Sequence, residues 1–200
     1  MNAEYTPSSA LVVVDMQHDF ADPTGSLYVR GGETIVGPIT AEITAARDAG
    51  ATVVYTQDWH PAHTPHFATD GGLWPVHCVA ESAGAALVPG LPVAGPLLRK
   101  GTGTEDGYSG FSEVDLATGA TKGTDLSTIL DEAGVMDITV VGIAGDWCVK
   151  ATAIDGVRLG YSVTVPLRLT RFVELQEGDT QRAIAAMREA GVTVLDEAGS

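Results

Sequence analysis

Short apolar runs of strand length alternate with segments of helical periodicity along this chain of 200 residues. The apolar runs predict strands at 10–14, 52–56, 96–100, 138–141, 161–165 and 192–195. The periodic segments predict helices at 33–49, 125–133, 148–159 and 180–190. Strands that alternate with helices indicate a parallel sheet with helices on both faces. We therefore expect a single α/β domain over residues 1–200, with three α/β/α layers and a central six-stranded, mainly parallel sheet.

Two long segments interrupt this alternation. The segment at about 58–94 is rich in proline, glycine and histidine, and the segment 101–123 is polar and rich in glycine. Long loops in a compact α/β domain are usually functional. Both follow the carboxyl ends of predicted strands, where such folds bind their ligands. We expect the functional site at this edge of the sheet, with 58–94 as an inserted loop.

The composition limits the classes of partner that the protein is expected to bind. A net charge of −15 disfavours nucleic acid and anionic membranes, which both bind positive surfaces. The apolar runs fall short of the roughly 20 residues of a membrane span. Residues 1–10 lack the pattern of a signal peptide, and two cysteines give no disulfide framework. We expect a cytoplasmic protein that binds a small molecule, either as a monomer or as a homo-oligomer.

The segment 138–151 places a cysteine at the start of a helix. Gly142 and Gly145 permit a tight turn after the predicted strand, and Asp146 is a plausible N-cap. Cys148 then falls in the first helical turn, where free N–H groups and the helix dipole stabilise a thiolate. The segment alone favours this nucleophile no more than a small buried core cysteine.

Two charged residues end predicted strands in the same way. Asp15 closes the strand 10–14 and Lys100 closes the strand 96–100. With these strands and 138–141 near the middle of a parallel sheet, Asp15, Lys100 and Cys148 converge on one edge. They would supply a base, a charge stabiliser and a nucleophile. The alternatives are a loop-capping role for Asp15 and an exposed strand-end position for Lys100.

Four of the five histidines lie between Asp58 and His77. In Asp58-Trp59-His60 the carboxylate and the imidazole project to the same side of an extended chain. Together with His63, His66 and His77 they suit a divalent transition metal such as zinc, iron or manganese. The histidines compete for about three positions, and the alternative is a histidine-rich surface loop.

Aromatic residues in the same loops suggest a pocket for a flat ring. They are Phe20, Trp74, Tyr108 and Phe111. For Phe111 we favour a place in the core.

The chain resembles the nicotinamidases of the isochorismatase-like cysteine hydrolase superfamily. The resemblance spans most of the chain in family order, and its stretches are specific together rather than singly. They are Val14-Asp-Met-Gln-His-Asp-Phe20, Thr56-Gln-Asp-Trp-His-Pro61, Trp74-Pro-Val-His-Cys-Val79, Arg99-Lys-Gly101, Asp106-Gly-Tyr-Ser-Gly-Phe111 and Val141-Gly-Ile-Ala-Gly-Asp-Trp-Cys-Val149.

The resemblance implies a metal-dependent amidase that converts nicotinamide to nicotinate and ammonia through a thioester, a step of NAD salvage. The implied catalytic triad is Asp15, Lys100 and Cys148. The implied metal ligands are Asp58, His60 and His77, with His66 as an additional histidine. The implied pocket is Phe20, Trp74, Tyr108 and Ala144.

An oxyanion hole is also implied, formed by the backbone N–H groups of Ala144 and Cys148 after a cis peptide at Ile143–Ala144. The chain departs from the family at Gly145, where many members have threonine, and in the register of His63-Thr-Pro-His66. Two alternatives remain open at this point. One is another amidase or ureidohydrolase of the superfamily, and the other is a non-enzymatic metal-binding module with Cys148 as a ligand.

Overall fold

The computed structural model describes residues 4–116 and 118–196. In chain order the strands are β1 (Ser9–Val14), β2 (Thr52–Asp58), β3 (Leu97–Lys100), β4 (Glu105–Asp106), β5 (Ser112–Asp115), β6 (Thr121–Gly123), β7 (Asp137–Ile143), β8 (Ser162–Pro166), β9 (Thr170–Arg171) and β10 (Thr193–Leu195). The α-helices are α1 (His18–Ala21), α2 (Val36–Asp48), α3 (Leu126–Glu132), α4 (Cys148–Arg158) and α5 (Asp179–Glu189).

The main sheet is parallel and has the order β10-β8-β7-β1-β2-β3, with β9 beside the end of β7. This confirms the six predicted strands and their parallel arrangement. The structure adds β9 and a separate antiparallel sheet, β4-β5-β6, within the segment 101–123. These strands have two to four residues, too few to show a hydrophobic period.

Helices cover both faces of the sheet. On one face, Leu11 and Val13 pack in a core with Ile39 and Ile43 of α2. On the other face, the alternate β1 residues share a core with α3, α4 and α5; the residues include Val12, Val14, Leu126, Leu130, Val149 and Met187. Every residue of β1 is buried, as expected for a central parallel strand. The three-layer α/β/α fold is confirmed.

Strand β3 lies at the edge of the sheet. We expected it near the middle, and this was wrong, because β2 separates it from β1. The exposed side chains of Leu97 and Arg99 explain the difference. A central strand is buried on both faces, whereas β3 alternates between exposed and more buried positions. Lys100 is nevertheless buried at the end of this edge strand.

The start of α4 also differs from the expectation. Trp147, not Asp146, precedes the helix as its N-cap residue, and no side chain caps it. The Asp146 carboxylate instead accepts hydrogen bonds from the backbone N–H groups of Val173 (3.0 Å) and Glu174 (2.8 Å). These two donors follow β9, so Asp146 ties that segment to the turn before Cys148.

Within residues 4–116 and 118–196, no helix has both the length and the apolarity needed to cross a bilayer. The expectation for residues 1–10 concerns a segment whose first three residues lie outside the described ones.

Gly142 in β7 allows the two central strands to approach closely. Its φ is +115°, and a Cβ there would overlap the carbonyl oxygen of Val14. We predict that Gly142→Ala lowers the free energy of unfolding by about 3 kcal/mol, through backbone strain and steric overlap. Gly134→Ala is the control, since its φ is +66° and no heavy atom lies within 4 Å of its Cβ. Chemical denaturation measures both, and equal losses would contradict the steric explanation.

Candidate active site

Asp15, Lys100 and Cys148 meet at the carboxyl edge of the sheet, although their strands are not all neighbours. The Lys100 Nζ lies 2.8 Å from Asp15 Oδ2 and 3.6 Å from Cys148 Sγ. It also forms an ion pair with Asp58 at the end of β2. Lys100 is only 2% exposed, so its interpretation as an exposed strand-end lysine was wrong.

A tight turn after β1 orients Asp15. The residue has a φ of +48°, a left-handed conformation that aspartate adopts more readily than most residues. Its N–H donates to the carbonyl oxygen of Thr56 (3.2 Å), and the Thr56 hydroxyl donates to Asp15 Oδ1 (2.6 Å). Oδ2 therefore faces Lys100 while Oδ1 is held by β2.

Burial controls the protonation of these groups. Burial raises the pKa of Asp15, against the opposing effect of Lys100. Burial alone would lower the pKa of Lys100, but Asp15 and Asp58 outweigh it and hold that pKa well above its ordinary value. Burial also raises the pKa of the Cys148 thiol well above its ordinary value; Lys100 opposes this, and both carboxylates add to it.

Burial and the two nearby carboxylates favour the neutral thiol of Cys148, against the helix N-terminus and Lys100, which favour the thiolate. Deprotonation then has to accompany attack on a substrate, and the raised pKa of Asp15 makes that carboxylate a stronger base.

Three histidines from the inserted loop converge beside this cluster. His60, His66 and His77 offer ligand atoms that all lie within 4.8 Å of one another, and all three side chains are buried. Asp58 Oδ2 lies 3.7 Å from His60 Nε2 and 3.9 Å from His77 Nε2. His63 lies apart, with its side chain 86% exposed and 3.4 Å from Asp70. The structure thus brings His66, and not His63, to the cluster.

The three imidazoles are oriented alike, since an oxygen acceptor faces each Nδ1 atom. The acceptors are the Gly101 carbonyl for His60 (3.2 Å), the Asp106 carboxylate for His66 (2.9 Å) and the Pro75 carbonyl for His77 (2.7 Å). Such partners hold the proton on Nδ1 and leave the Nε2 lone pair free for a metal. His60 Nε2 is indeed buried without a hydrogen-bond partner among the described residues. Burial lowers the pKa of His77 to about 4, so this ring is neutral at neutral pH.

Asp58 completes a donor set that fits a divalent transition metal. Burial alone would raise the pKa of Asp58, but Lys100 and the neighbouring histidines outweigh it and hold that pKa below its ordinary value. Two carboxyl groups, Asp15 and Asp58, are thus buried beside one ammonium group, Lys100. A divalent cation would compensate the remaining negative charge.

Gln17 positions Asp58 and was not identified from the sequence. Its Oε1 accepts from the Asp58 N–H (2.8 Å), and its Nε2 donates to the Asp58 carbonyl (2.7 Å) and to the Ala85 carbonyl (2.9 Å). The sequence shows only an amide side chain two residues after Asp15. The burial of Gln17 depends on the loop that contains Ala85, 68 residues away, and so could not be predicted.

A cavity that is partly open to solvent lies between the thiol and the histidines, and the space in it that no protein atom fills, open solvent included, is about 370 Å³. Its lining includes all four expected pocket residues: Phe20, Trp74, Tyr108 and Ala144. Sequence reasoning missed the other apolar lining residues, which are Leu27, Val29, Ile143, Trp147 and Val173. Phe111 lies elsewhere, buried and stacked on Tyr161 with 5.8 Å between ring centroids, which confirms its expected place in the core.

Three aromatic rings form one wall of the cavity. Trp74 Nε1 donates to the Tyr108 hydroxyl (3.0 Å). The Trp147 ring packs edge-on against Trp74, with centroids 4.9 Å apart, and is tilted against Tyr108 at 5.0 Å. Trp147 directly precedes Cys148 in the sequence, and this position next to the nucleophile could have identified it as a pocket residue. The wall suits a flat ring.

The turn between β7 and α4 presents two free donors to the cavity. The Ile143–Ala144 peptide is cis, as the resemblance implied. In the part of the chain that the structure describes, the N–H groups of Ala144 and Cys148 donate no hydrogen bond. Both residues line the cavity. Two such donors beside a thiol can stabilise an oxyanion.

Comparisons with known proteins agree with this arrangement. The model of the isochorismatase domain family matches residues 9–198. The nicotinamidase of Escherichia coli (strain K12) is 34% identical, over 94% of each chain.

Two solved structures are similar along most of their length. The structure of PnC1 from L. infantum in complex with nicotinate has a TM-score of 0.87 and 36% identity, covering 98% of this chain and 96% of that one. The pyrazinamidase of Pyrococcus horikoshii in complex with zinc has a TM-score of 0.84 and 35% identity, covering 96% of this chain and all of that one. The fold, the site and the family match together show that this chain belongs to the isochorismatase domain family.

Proposed function

We propose that the protein is a metal-dependent cysteine amidohydrolase that converts nicotinamide to nicotinate and ammonia, a step of NAD salvage. One observation carries the proposal: a buried Asp15–Lys100–Cys148 cluster opens on a ring-sized cavity that three histidines also line or adjoin. The similarity to nicotinamidases along the whole chain supports the same substrate. The net charge of −15 disfavours nucleic acid and anionic membranes as partners, in line with a cytoplasmic enzyme that acts on a small molecule.

Acylation begins from the neutral thiol. As Cys148 Sγ attacks the carboxamide carbon, its proton passes to Asp15, whose raised pKa favours acceptance. The carbonyl π electrons move onto oxygen, where the N–H groups of Ala144 and Cys148 stabilise the charge by about 3 kcal/mol each. Asp15 then returns the proton to the amide nitrogen. The C–N bond breaks, and ammonia leaves a thioester on Cys148.

Deacylation uses the same groups in reverse. Asp15 takes a proton from water as the water oxygen attacks the thioester carbon. The C–S bond breaks, the Cys148 sulfur regains a proton from Asp15, and the carboxylic acid product loses its remaining proton to solvent and leaves as nicotinate. Lys100 lies near both Asp15 and Cys148 throughout, so it offsets negative charge wherever the proton moves.

The role of the metal site in this proposal is to orient the substrate. Asp58, His60 and His77, with His66 as a fourth ligand, would hold zinc, iron or manganese, and the inserted loop 58–94 of a single hydrolase domain supplies this set. When bound, the metal would orient the ring through the pyridine nitrogen. The aromatic wall of Trp74, Tyr108 and Trp147 encloses the ring.

Two alternatives fit the structure less well. A ureidohydrolase of the same superfamily acts on a small open-chain group and leaves the aromatic wall unused. A non-enzymatic metal module with Cys148 as a ligand leaves Asp15 and Lys100 without a role. The Lys100 ammonium, 3.6 Å from Cys148 Sγ, also disfavours a second cation at that sulfur.

The first prediction concerns the nucleophile. Rapid quenching of the protein with nicotinamide, followed by mass spectrometry, is expected to trap a nicotinoyl adduct on Cys148. Cys148→Ala should fold normally and lose essentially all turnover, because alanine has no nucleophilic atom to attack the carboxamide carbon. An adduct on Cys78 instead would overturn the assignment.

The second prediction concerns the base and the cation. Asp15→Asn removes the proton acceptor, and kcat is expected to fall about 100- to 10,000-fold. Lys100→Met removes the charge that opposes the rise in the Cys148 pKa, so that pKa should rise further and alkylation by iodoacetamide at neutral pH should slow. Lys122→Met, at an exposed position of β6, is the control. Unchanged alkylation in Lys100→Met would show that the two groups are not coupled.

The third prediction separates two histidines of the same loop. His66→Ala is expected to weaken metal affinity by at least about 10- to 100-fold, the loss typical even of supporting groups. His63→Ala should leave it unchanged, because that side chain is exposed and outside the cluster. Competition with a chromophoric chelator and elemental analysis measure both. A greater loss in His63→Ala would show that the proposed ligand set is wrong.

A further inference from the structure

The turn that carries the two free donors, residues 144–148, has few hydrogen bonds of its own. Within it, the Ala144 carbonyl accepts from the N–H of Trp147 (3.0 Å), and it also accepts from Val149 at the start of α4 (3.0 Å). These bonds shape the turn, but they do not fix it against the rest of the molecule. Its direction relative to the cavity therefore depends on other contacts.

The segment 170–174 supplies backbone contacts to this turn. Its first two residues form β9, which pairs with β7 directly before the turn. The Gly145 N–H then donates to the Arg171 carbonyl (2.7 Å). The segment thus continues along the turn beyond the end of β7.

Asp146 fixes the other end of the segment. The side chain is buried, and its two carboxylate oxygens accept from the N–H groups of Val173 (3.0 Å) and Glu174 (2.8 Å). One side chain thus binds two successive backbone N–H groups of the segment. Val173 lines the cavity, so the same bonds also hold a part of the cavity wall.

Phe172 fills the space beside Gly145. A Cβ at residue 145 would lie only 2.5, 2.6 and 2.7 Å from three atoms of the Phe172 ring. Glycine has no side chain, so nothing of residue 145 occupies this space. The ring occupies the volume that a side chain there would take, so Gly145 and Phe172 form a matched pair.

We propose that Asp146 and Phe172 are positioning residues for the oxyanion hole. They hold the turn 144–148 so that the N–H groups of Ala144 and Cys148 point at the substrate carbonyl oxygen. Neither residue lines the cavity, so each acts through the turn and not on the substrate. The inference rests on the proposed function, because it takes the substrate to be an amide attacked by Cys148.

Two probes separate the oxyanion hole from the ring pocket. Pyridine-3-carboxaldehyde bonds through its carbonyl carbon to Cys148 Sγ; the π electrons move onto oxygen, and Asp15 takes the thiol proton. This adduct needs the two N–H donors. The second probe, 3-methylpyridine, has the same ring but no carbonyl group, and it reports only on the ring contacts. Both are measured as inhibition constants on the metal-loaded protein.

Asp146→Asn keeps the shape but places an amide nitrogen against one of the two N–H donors. We expect aldehyde affinity and kcat to fall at least about 10-fold, while 3-methylpyridine affinity and iodoacetamide alkylation of Cys148 change less than about 3-fold. Asp155→Asn is the matched control, since that carboxylate on α4 bonds Ser112 and Arg158, away from the turn. Parallel losses for both probes, or no loss of aldehyde affinity, would overturn the inference.

The Gly145–Phe172 pair gives a test that does not depend on Asp146. Gly145→Ala should lower aldehyde affinity because the new methyl group displaces the ring and the turn with it. Phe172→Ala should lower it by removing the support. In the double variant the methyl group has room, so the combined loss should be smaller than the product of the two single losses. A fully multiplicative loss would overturn the proposed pairing.

Failure of this inference and failure of the proposed function give different results. If wild-type protein releases no ammonia from nicotinamide, the proposed function fails. If wild type is active and the variants keep the wild-type ratio of aldehyde to 3-methylpyridine affinity, only the positioning role fails.

Discussion

The buried ammonium of Lys100 is the interaction on which the rest of the site depends. It lies among two carboxylates and a thiol, all of them nearly excluded from water. Without Lys100, the buried carboxyl groups of Asp15 and Asp58 would lose the cationic side chain with which both of them pair. Removing one partner of such a cluster costs far more than the cluster contributes as a whole. Lys100 thus opposes the effect that burial has on the pKa values of Asp15, Asp58 and Cys148.

This arrangement joins the two halves of the site. Asp58 faces Lys100 with one carboxylate oxygen and the histidines with the other. The thiol chemistry and the metal ligands are therefore adjacent parts of one charge network. The side chains of this network are nearly excluded from water, which strengthens the electrostatic interactions among them.

Much of this could be predicted from the sequence, because β1, β2 and β7 contain apolar runs, and the functional residues Asp15, Asp58 and Cys148 stand at or shortly after the ends of these strands. Parallel strands bring the residues at their carboxyl ends to one edge of the sheet, whatever the order of the strands. Lys100 therefore lies in the site, although the predicted position of β3 within the sheet was wrong. The sequence could not show that Asp146 bonds to Val173 and Glu174, since that choice depends on a contact across 28 residues. Nor could it show the protonation of Cys148, which burial decides and helix position alone does not. The strands β4 to β6 are too short to show a hydrophobic pattern. Their small antiparallel sheet nevertheless carries Asp106, which orients His66.

The central claim is that this buried charge network serves hydrolysis of an aromatic carboxamide. The most direct measurement is the rate of ammonia release by the metal-loaded wild-type protein, with nicotinamide and with ureidoacrylate compared at equal concentrations. The account predicts rapid release of one ammonia per nicotinate formed and far slower release from the ureido compound. Preference for the ureido compound, or no release from nicotinamide, would contradict it.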